Sequence, residues 1–220
     1  MSFFDPSPKS DPRFLYGREK ELHDLVSYLK ERQWVIILGP RRIGKTSLAR
    51  CAITKLGYKH LEIDSRENSN LAQALALSLI SPDRSIQAHA DVMIPHIPIT
   101  MGVAYTRAFF RESLDRLVES VKRLVVLVDE AQWLRNPRGV ALLLAHIYDY
   151  YYDRVSFIIT GSVVGVMRSI IEPQAKSPLY GRAITRMEIH RWSPSVSLGF
   201  LREGCKEKKL PYEEDLMTSV

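Results

Sequence analysis

Apolar residues along this 220-residue chain recur with two periods, and the switches between them predict its elements. Leu22, Leu25, Val26 and Leu29 fall at i, i+3, i+4 and i+7, which predicts a helix over Glu19–Glu31 with one apolar face. Trp34–Leu38 is apolar without a break and stops at Gly39-Pro40, the mark of a buried strand followed by a breaker. A helix is expected from Gly44 or Lys45 to about Lys55. A strand follows over Lys59–Asp64, then a helix over Leu71–Ile80 that Pro82 stops. Segment 88–102 carries Pro95 and Pro98, which forbid a helix interior or a central strand and leave a loop or an edge hairpin. Helical spacing returns over Tyr105–Lys122. Leu124–Val128, the most apolar run, closes on Asp129-Glu130. A helix over Gly139–Tyr152, a strand over Val155–Thr160, a short helix over Val163–Ile171, a strand over Ile184–Ile189 and a helix near Ser197–Lys206 complete the series. Strands that are apolar throughout are covered on both faces, so the pattern predicts an α/β fold with a mostly parallel five-stranded sheet flanked by helices.

Composition narrows the function classes. Apolar residues make up 45% and charged residues 25%, which excludes disorder over the whole length and supplies a core for one large domain. The net charge of +6 favours acidic partners, nucleic acid or a nucleotide first, and is equally compatible with plain solubility. Cys51 and Cys205 cannot form a disulfide framework and have no metal-ligand spacing. No apolar run approaches the 18 or so residues of a membrane span, and residues 1–13 lack a secretory pattern, so a cytoplasmic protein is expected. Pro6, Pro8 and Pro12 make residues 1–13 a flexible or extended lead-in to a core over residues 14–194, with 195–220 as the start of a lid or an extension.

The chemistry sits where strands end. Gly39-Pro40-Arg41-Arg42-Ile43-Gly44-Lys45-Thr46 fits GxxxxGK[ST] between a strand and a helix, which is the context a phosphate loop needs. Gly39 and Gly44 let the loop curl its N–H groups around an anion, and the following helix, which Ser47 enters, adds its N-terminal dipole. Lys45 supplies a charge to the β and γ phosphates of ATP, and Thr46 supplies a hydroxyl to Mg²⁺. Arg41 and Arg42 face either solvent or a phosphate. Asp129, at the end of the most apolar strand, fits the Mg²⁺ shell. Glu130 beside it is placed to polarise a water for attack on the γ phosphate. The Asn-Lys-x-Asp stretch that reads guanine is missing, which favours adenine. Thr160 or Ser162, at the end of the next strand, is positioned either to sense the γ phosphate or simply to form a capped turn.

These motifs, with Leu15-Tyr16-Gly17-Arg18-Glu19, Leu127 to Gln132, Ile159 to Ser162 and Pro178 to Ala183, resemble the archaeal ATPase family of the AAA+-like and STAND group of P-loop NTPases. The resemblance covers residues 14–194. It implies an ATP-hydrolysing switch, with Tyr16, Gly17 and Arg18 near adenine and ribose. It also implies that Arg182 contacts the γ phosphate, in its own subunit or across a subunit boundary, which would involve self-association. Members of the family are longer, so the chain reads as a natural short form or a fragment. Residues 182–209 hold Arg182, Arg186, Arg191, Arg202, Lys206, Lys208 and Lys209 interleaved with Glu188, Glu203 and Glu207, a weak indication of nucleic-acid binding. Tyr148, Tyr150, Tyr151 and Tyr152 are either a surface for a protein partner or packing. The alternative function is a nucleotide-dependent binding module with little turnover.

Overall fold

A computed structural model of the protein describes residues 2–80, 112, 114–162 and 175–211. Five strands form one sheet: β1 Trp34–Leu38, β2 Lys59–Asp64, β3 Leu124–Asp129, β4 Val155–Gly161 and β5 Ile184–Glu188. Their order is β2-β3-β4-β1-β5, and each neighbouring pair is parallel. The three inner strands β1, β3 and β4 are buried at every position. The edge strands β2 and β5 are more accessible and bury only Leu61 and Ile63, and Met187, respectively. This is the α/β architecture of a P-loop NTPase, with limited helical content added to it.

Side-chain alternation splits the core into two layers. Trp34, Ile36 and Leu38 of β1 point to one face with Leu124, Val126 and Val128 of β3. That face is covered by α3 (Leu71–Ile80), by α4 (residues 114–120, through Leu114 and Val118) and by α5 (Pro137–Tyr151). Val35 and Ile37, with Val125 and Leu127, point the other way, onto α1 (Glu19–Lys30) and α2 (Lys45–Leu56). Helix α1 buries Leu22, Leu25, Val26 and Leu29, the four residues its spacing singled out. Gly57 ends α2 in a left-handed cap at φ 63°, donating to Ile53 and Thr54 carbonyls.

Two helices begin earlier than their apolar spacing suggested. Helix α5 starts at Pro137 because Asn136 caps it, its side chain accepting from Gly139 N at 3.0 Å. The last helix, α6 (Pro194–Lys208), starts in the same way, with Ser193 accepting from Val196 N. A proline in the first turn lacks an N–H that the helix could not have used, so here it begins the element instead of breaking it. Ahead of α1, residues 2–15 carry one 3-10 turn, Pro12–Phe14, and lie against the body of the protein. Lys9 is buried there, its Nζ donating to the carbonyls of Ser2 and Asp5 at 2.7 and 2.6 Å. Phe3 meets Phe200 of the C-terminal part, and Tyr16 meets both Phe200 and Trp192, all edge to face, while Phe14 packs on Phe3. Segment 88–102, the helix expected over Val163–Ile171 and residues 105–111 and 113 of that expected over Tyr105–Lys122 lie outside the described residues. Among the described residues, no helix is long and apolar enough to cross a membrane.

Candidate functional site

In a parallel sheet all strands deliver their last residues to one edge, and ligands bind in the crevice there. β1 delivers the glycine-rich loop, β3 delivers Asp129 and Glu130, and β4 delivers Thr160. The loop passes so close to the end of β5 that a Cβ on Gly39 would stand 2.6 Å from the Ile189 carbonyl oxygen. Gly44 caps α2 at φ 94°, a left-handed angle that favours glycine, and gives the helix no side-chain cap. The first-turn N–H groups of α2 are therefore left for an external acceptor, and the space in front of Gly44 is open.

Lys45 is 5% exposed, and its Nζ donates to the carbonyls of Gly39 and Pro40 at 3.0 and 2.7 Å. Burial pulls its pKa below the ordinary lysine value, against the attraction of Glu130 and Asp129, with Arg41 adding repulsion. A phosphate would replace these weak carbonyl partners with a full negative charge. Asp129 is 6% exposed; its carboxylate accepts from Thr46 Oγ1 at 3.0 Å and from the fully buried Thr160 hydroxyl. Burial raises the Asp129 carboxyl above the usual range, the two threonine hydrogen bonds oppose this, and Glu130 and Asp64 reinforce it. Thr46 and Asp129 thus present two oxygens 3.0 Å apart. Mg²⁺–oxygen bonds of 2.0–2.1 Å give an octahedral edge of about 2.9 Å, so this pair fits two adjacent positions around a magnesium ion. Asp64 ends β2 in register with Asp129. Burial works to raise its carboxyl, but hydrogen bonds from Arg66 overcome that and hold it below the usual range.

Glu130 takes a left-handed backbone, φ 53°, at the start of the 3-10 turn Ala131–Trp133. Its N–H donates to Thr160 Oγ1 at 3.2 Å, so one threonine hydroxyl serves both acidic residues. Its carboxylate accepts from the side-chain amide of Gln132, whose oxygen in turn accepts from Ser162 N at 3.2 Å. Thr160 therefore stands inside the acidic cluster by its side chain, and Ser162 joins through its backbone. Gln132 was not among the expected site residues. Its place two positions after Glu130, in the next turn, is the signal that marks it.

Tyr16, Arg18, Arg42, Ile43, Gly44 and Ser47 line a cavity of about 450 Å³ beside the loop. Arg18 is buried, donates to Glu21 and to the His190 carbonyl at 2.8 and 2.6 Å, and lies 5.7 Å from the Trp192 ring. Gly17 runs against Trp192 and Val196. Ser47 Oγ accepts from Lys9 N, which ties the leading segment to α2. Pro40, Arg41 and Arg42 are exposed, Arg42 with φ 60°.

Arg182 is not brought to this edge. It precedes β5 and pairs with Asp149, near the end of α5, at 2.5 Å; its guanidinium lies 6.0 Å from the Tyr148 ring. Tyr148 packs on Trp34, the first residue of β1. The length of β1, about 13 Å at ~3.3 Å per residue, thus separates the Arg182 end of the sheet from the loop. Of the four clustered tyrosines, Tyr151 is buried and Tyr150 and Tyr152 are exposed. Both cysteines are free and buried.

A family described as an ATPase domain predominantly from Archaea matches residues 15–218. No curated protein matches. Among solved structures, a Walker-type ATPase of Pyrococcus abyssi is similar at 26% identity and TM-score 0.74, over 98% of this chain and 65% of that one. The ORC1 protein of Aeropyrum pernix, solved in complex with DNA, aligns at 17% identity and TM-score 0.61, over 89% of this chain and 52% of that one. The RuvB Holliday junction branch migration motor of Thermotoga maritima aligns at 16% identity and TM-score 0.56, over 95% of this chain and 57% of that one. The last two likenesses show the shared fold. The chain spans between about half and two thirds of the length of these proteins.

Proposed function

We propose that this chain, which belongs to the family of ATPase domains found predominantly in Archaea, binds ATP with Mg²⁺ and hydrolyses it as a molecular switch of the AAA+-like and STAND type. The observation that carries this is the convergence of Lys45, Thr46, Asp129, Glu130 and Thr160 at the ends of three adjacent strands. The loop N–H groups and Lys45 hold the phosphates, and the cavity beside Tyr16, Arg18 and Ser47 takes base and ribose. Thr46 and Asp129 would hold Mg²⁺, which when bound neutralises charge on the phosphate oxygens. Glu130 accepts the proton of the attacking water as its oxygen bonds to the γ phosphorus and the bond to the leaving ADP oxygen breaks. Thr160 keeps Asp129 and Glu130 in fixed relation.

The +6 charge and the basic residues of segment 182–209 favour an acidic partner, nucleic acid before protein. Arg182, at the far end of the sheet, would serve a phosphate site only in another subunit. The cytoplasm suits two buried, unbridged thiols.

The test is steady-state Mg²⁺-ATP hydrolysis at several protein concentrations, beside K45A and E130Q. K45A is expected to weaken ATP binding about tenfold or more, as removal of a charge-assisted partner does. E130Q should bind as wild type does and turn over at least about a hundredfold more slowly. Specific activity that rises with concentration would support a site completed by self-association. Wild type no faster than E130Q would replace the ATPase reading with that of a nucleotide-dependent binding module.

A further inference from the structure

We propose that Gln132 is a positioning residue that aims the Glu130 carboxylate at the phosphate crevice. The inference rests on the reading of Glu130 as the base. Glu130 is held at its backbone from both sides: its N–H donates to Thr160 Oγ1, and its carbonyl accepts from Trp133 N at 3.0 Å. Its side chain has no such restraint of its own. Among the described residues, the hydrogen bond to its carboxylate comes from Gln132 Nε2, which binds Oε2.

The orientation of that amide follows from chemistry. A carboxylate only accepts and a backbone N–H only donates. An amide between Glu130 and Ser162 N must therefore turn its nitrogen to Glu130 and its oxygen to Ser162, as it does here. Ser162 follows directly on β4, so the far end of the bridge is fixed to the sheet. The near end sits on a turn whose first residue, Ala131, is fully buried. Gln132 thus joins a flexible acid to two rigid points. With Oε2 occupied, Oε1 remains for water. A glutamate side chain released from such a hold regains rotamers equivalent to about tenfold dilution of the useful one.

Q132E separates the two halves of the bridge. It keeps an acceptor for Ser162 N but replaces the donor to Glu130 with a second carboxylate. Q132M removes both. Expected in Q132E is a fall in kcat of about tenfold or more, with the Kd for a fluorescent ATP analogue and the thermal midpoint within error of wild type. Q132M should fall less, because it adds no repelling charge; should Q132E fail to fold, Q132M reads this smaller loss of kcat at unchanged Kd. An unchanged or raised kcat in the folded variants, or a loss that lies in Kd, overturns the inference. E130Q, run alongside, separates the two ideas. If E130Q is as active as wild type, the role of Glu130 fails and this one with it. If E130Q is inactive and Q132E fully active, only the positioning role fails.

Discussion

Thr160→Val keeps the shape of the side chain and removes one hydroxyl that is fully buried and shared. Asp129 loses a donor, and the Glu130 N–H loses its acceptor. A hydrogen bond to a charged group contributes about 1.5–3 kcal/mol, and a buried orphan N–H costs about 1–3 kcal/mol. A total of about 2.5–6 kcal/mol follows, which in a domain of this size lowers Tm by about 5–24 °C. The deficit should depend on pH. The Asp129 carboxyl titrates above its unfolded value because burial disfavours its charge. The fold thus prefers the protonated form, and stability from this group is full below the unfolded pKa and falls as pH rises through the folded one. Valine deletes a bond that favours the ionised form, so it raises the folded pKa further and deepens the fall. Metal-free melting of both proteins at pH 8 and pH 4.5 tests this, since subtracting wild type at each pH cancels other titrating groups. The gap in Tm should be larger at pH 8. Equal gaps, or gaps under about 2 °C at both pH values, would refute the account of how Asp129 is held.

Other expectations come from groups farther from the crevice. R182A should leave ATP affinity of the dilute protein unchanged and cost about 1 kcal/mol or less, because its Asp149 partner is half exposed. A tenfold loss of affinity, read by titration, would contradict its placement at the far end of the sheet. Burial pushes the Cys51 thiol up to about 11. At pH 8 its thiolate fraction is then about 200-fold below that of a free cysteine, so alkylation followed by mass spectrometry should find it slow in the native protein and fast in denaturant. Native labelling at the free-thiol rate would show that α2 opens readily.

The sheet and the strand–loop–helix around residues 39–46 were legible because local rules govern them. A run such as Leu124–Val128 has to be covered on both faces, and GxxxxGK[ST] between a strand and a helix leaves little choice of geometry. Asp129 and Glu130 were legible because strand ends are readable and parallel strands share an edge. Three things depend on partners distant in sequence, which spacing does not encode. Arg182 lies in a Gly-Arg box, but its fate is set by Asp149 on another element. The three prolines of the leading segment suggested a flexible or extended lead-in, but not the partners that Lys9 and Phe3 find in the body and across to α6. Gln132 gains its place from Ser162, 30 positions away. The starts of α5 and α6 were misplaced for a local reason: Asn136-Pro137 and Ser193-Pro194 look like turns until the cap is seen.

The strand order also bears on synthesis. β1 is made early, yet its sheet neighbours are β4 and β5, and the Trp34 indole donates to the carbonyl of Val155, 121 residues further on. A nascent chain that has reached only β3 carries β1 with both of its edges unpaired, and the glycine-rich loop then has no floor. Long-range pairing of this kind is slow to form and leaves strand edges exposed in the meantime. The site therefore comes into being late and all at once, when β4 inserts between β3 and β1. ATP capture by a ribosome-bound chain would report that insertion, and a chain cut before Val155 should need chaperone protection while one extended past Glu188 should not.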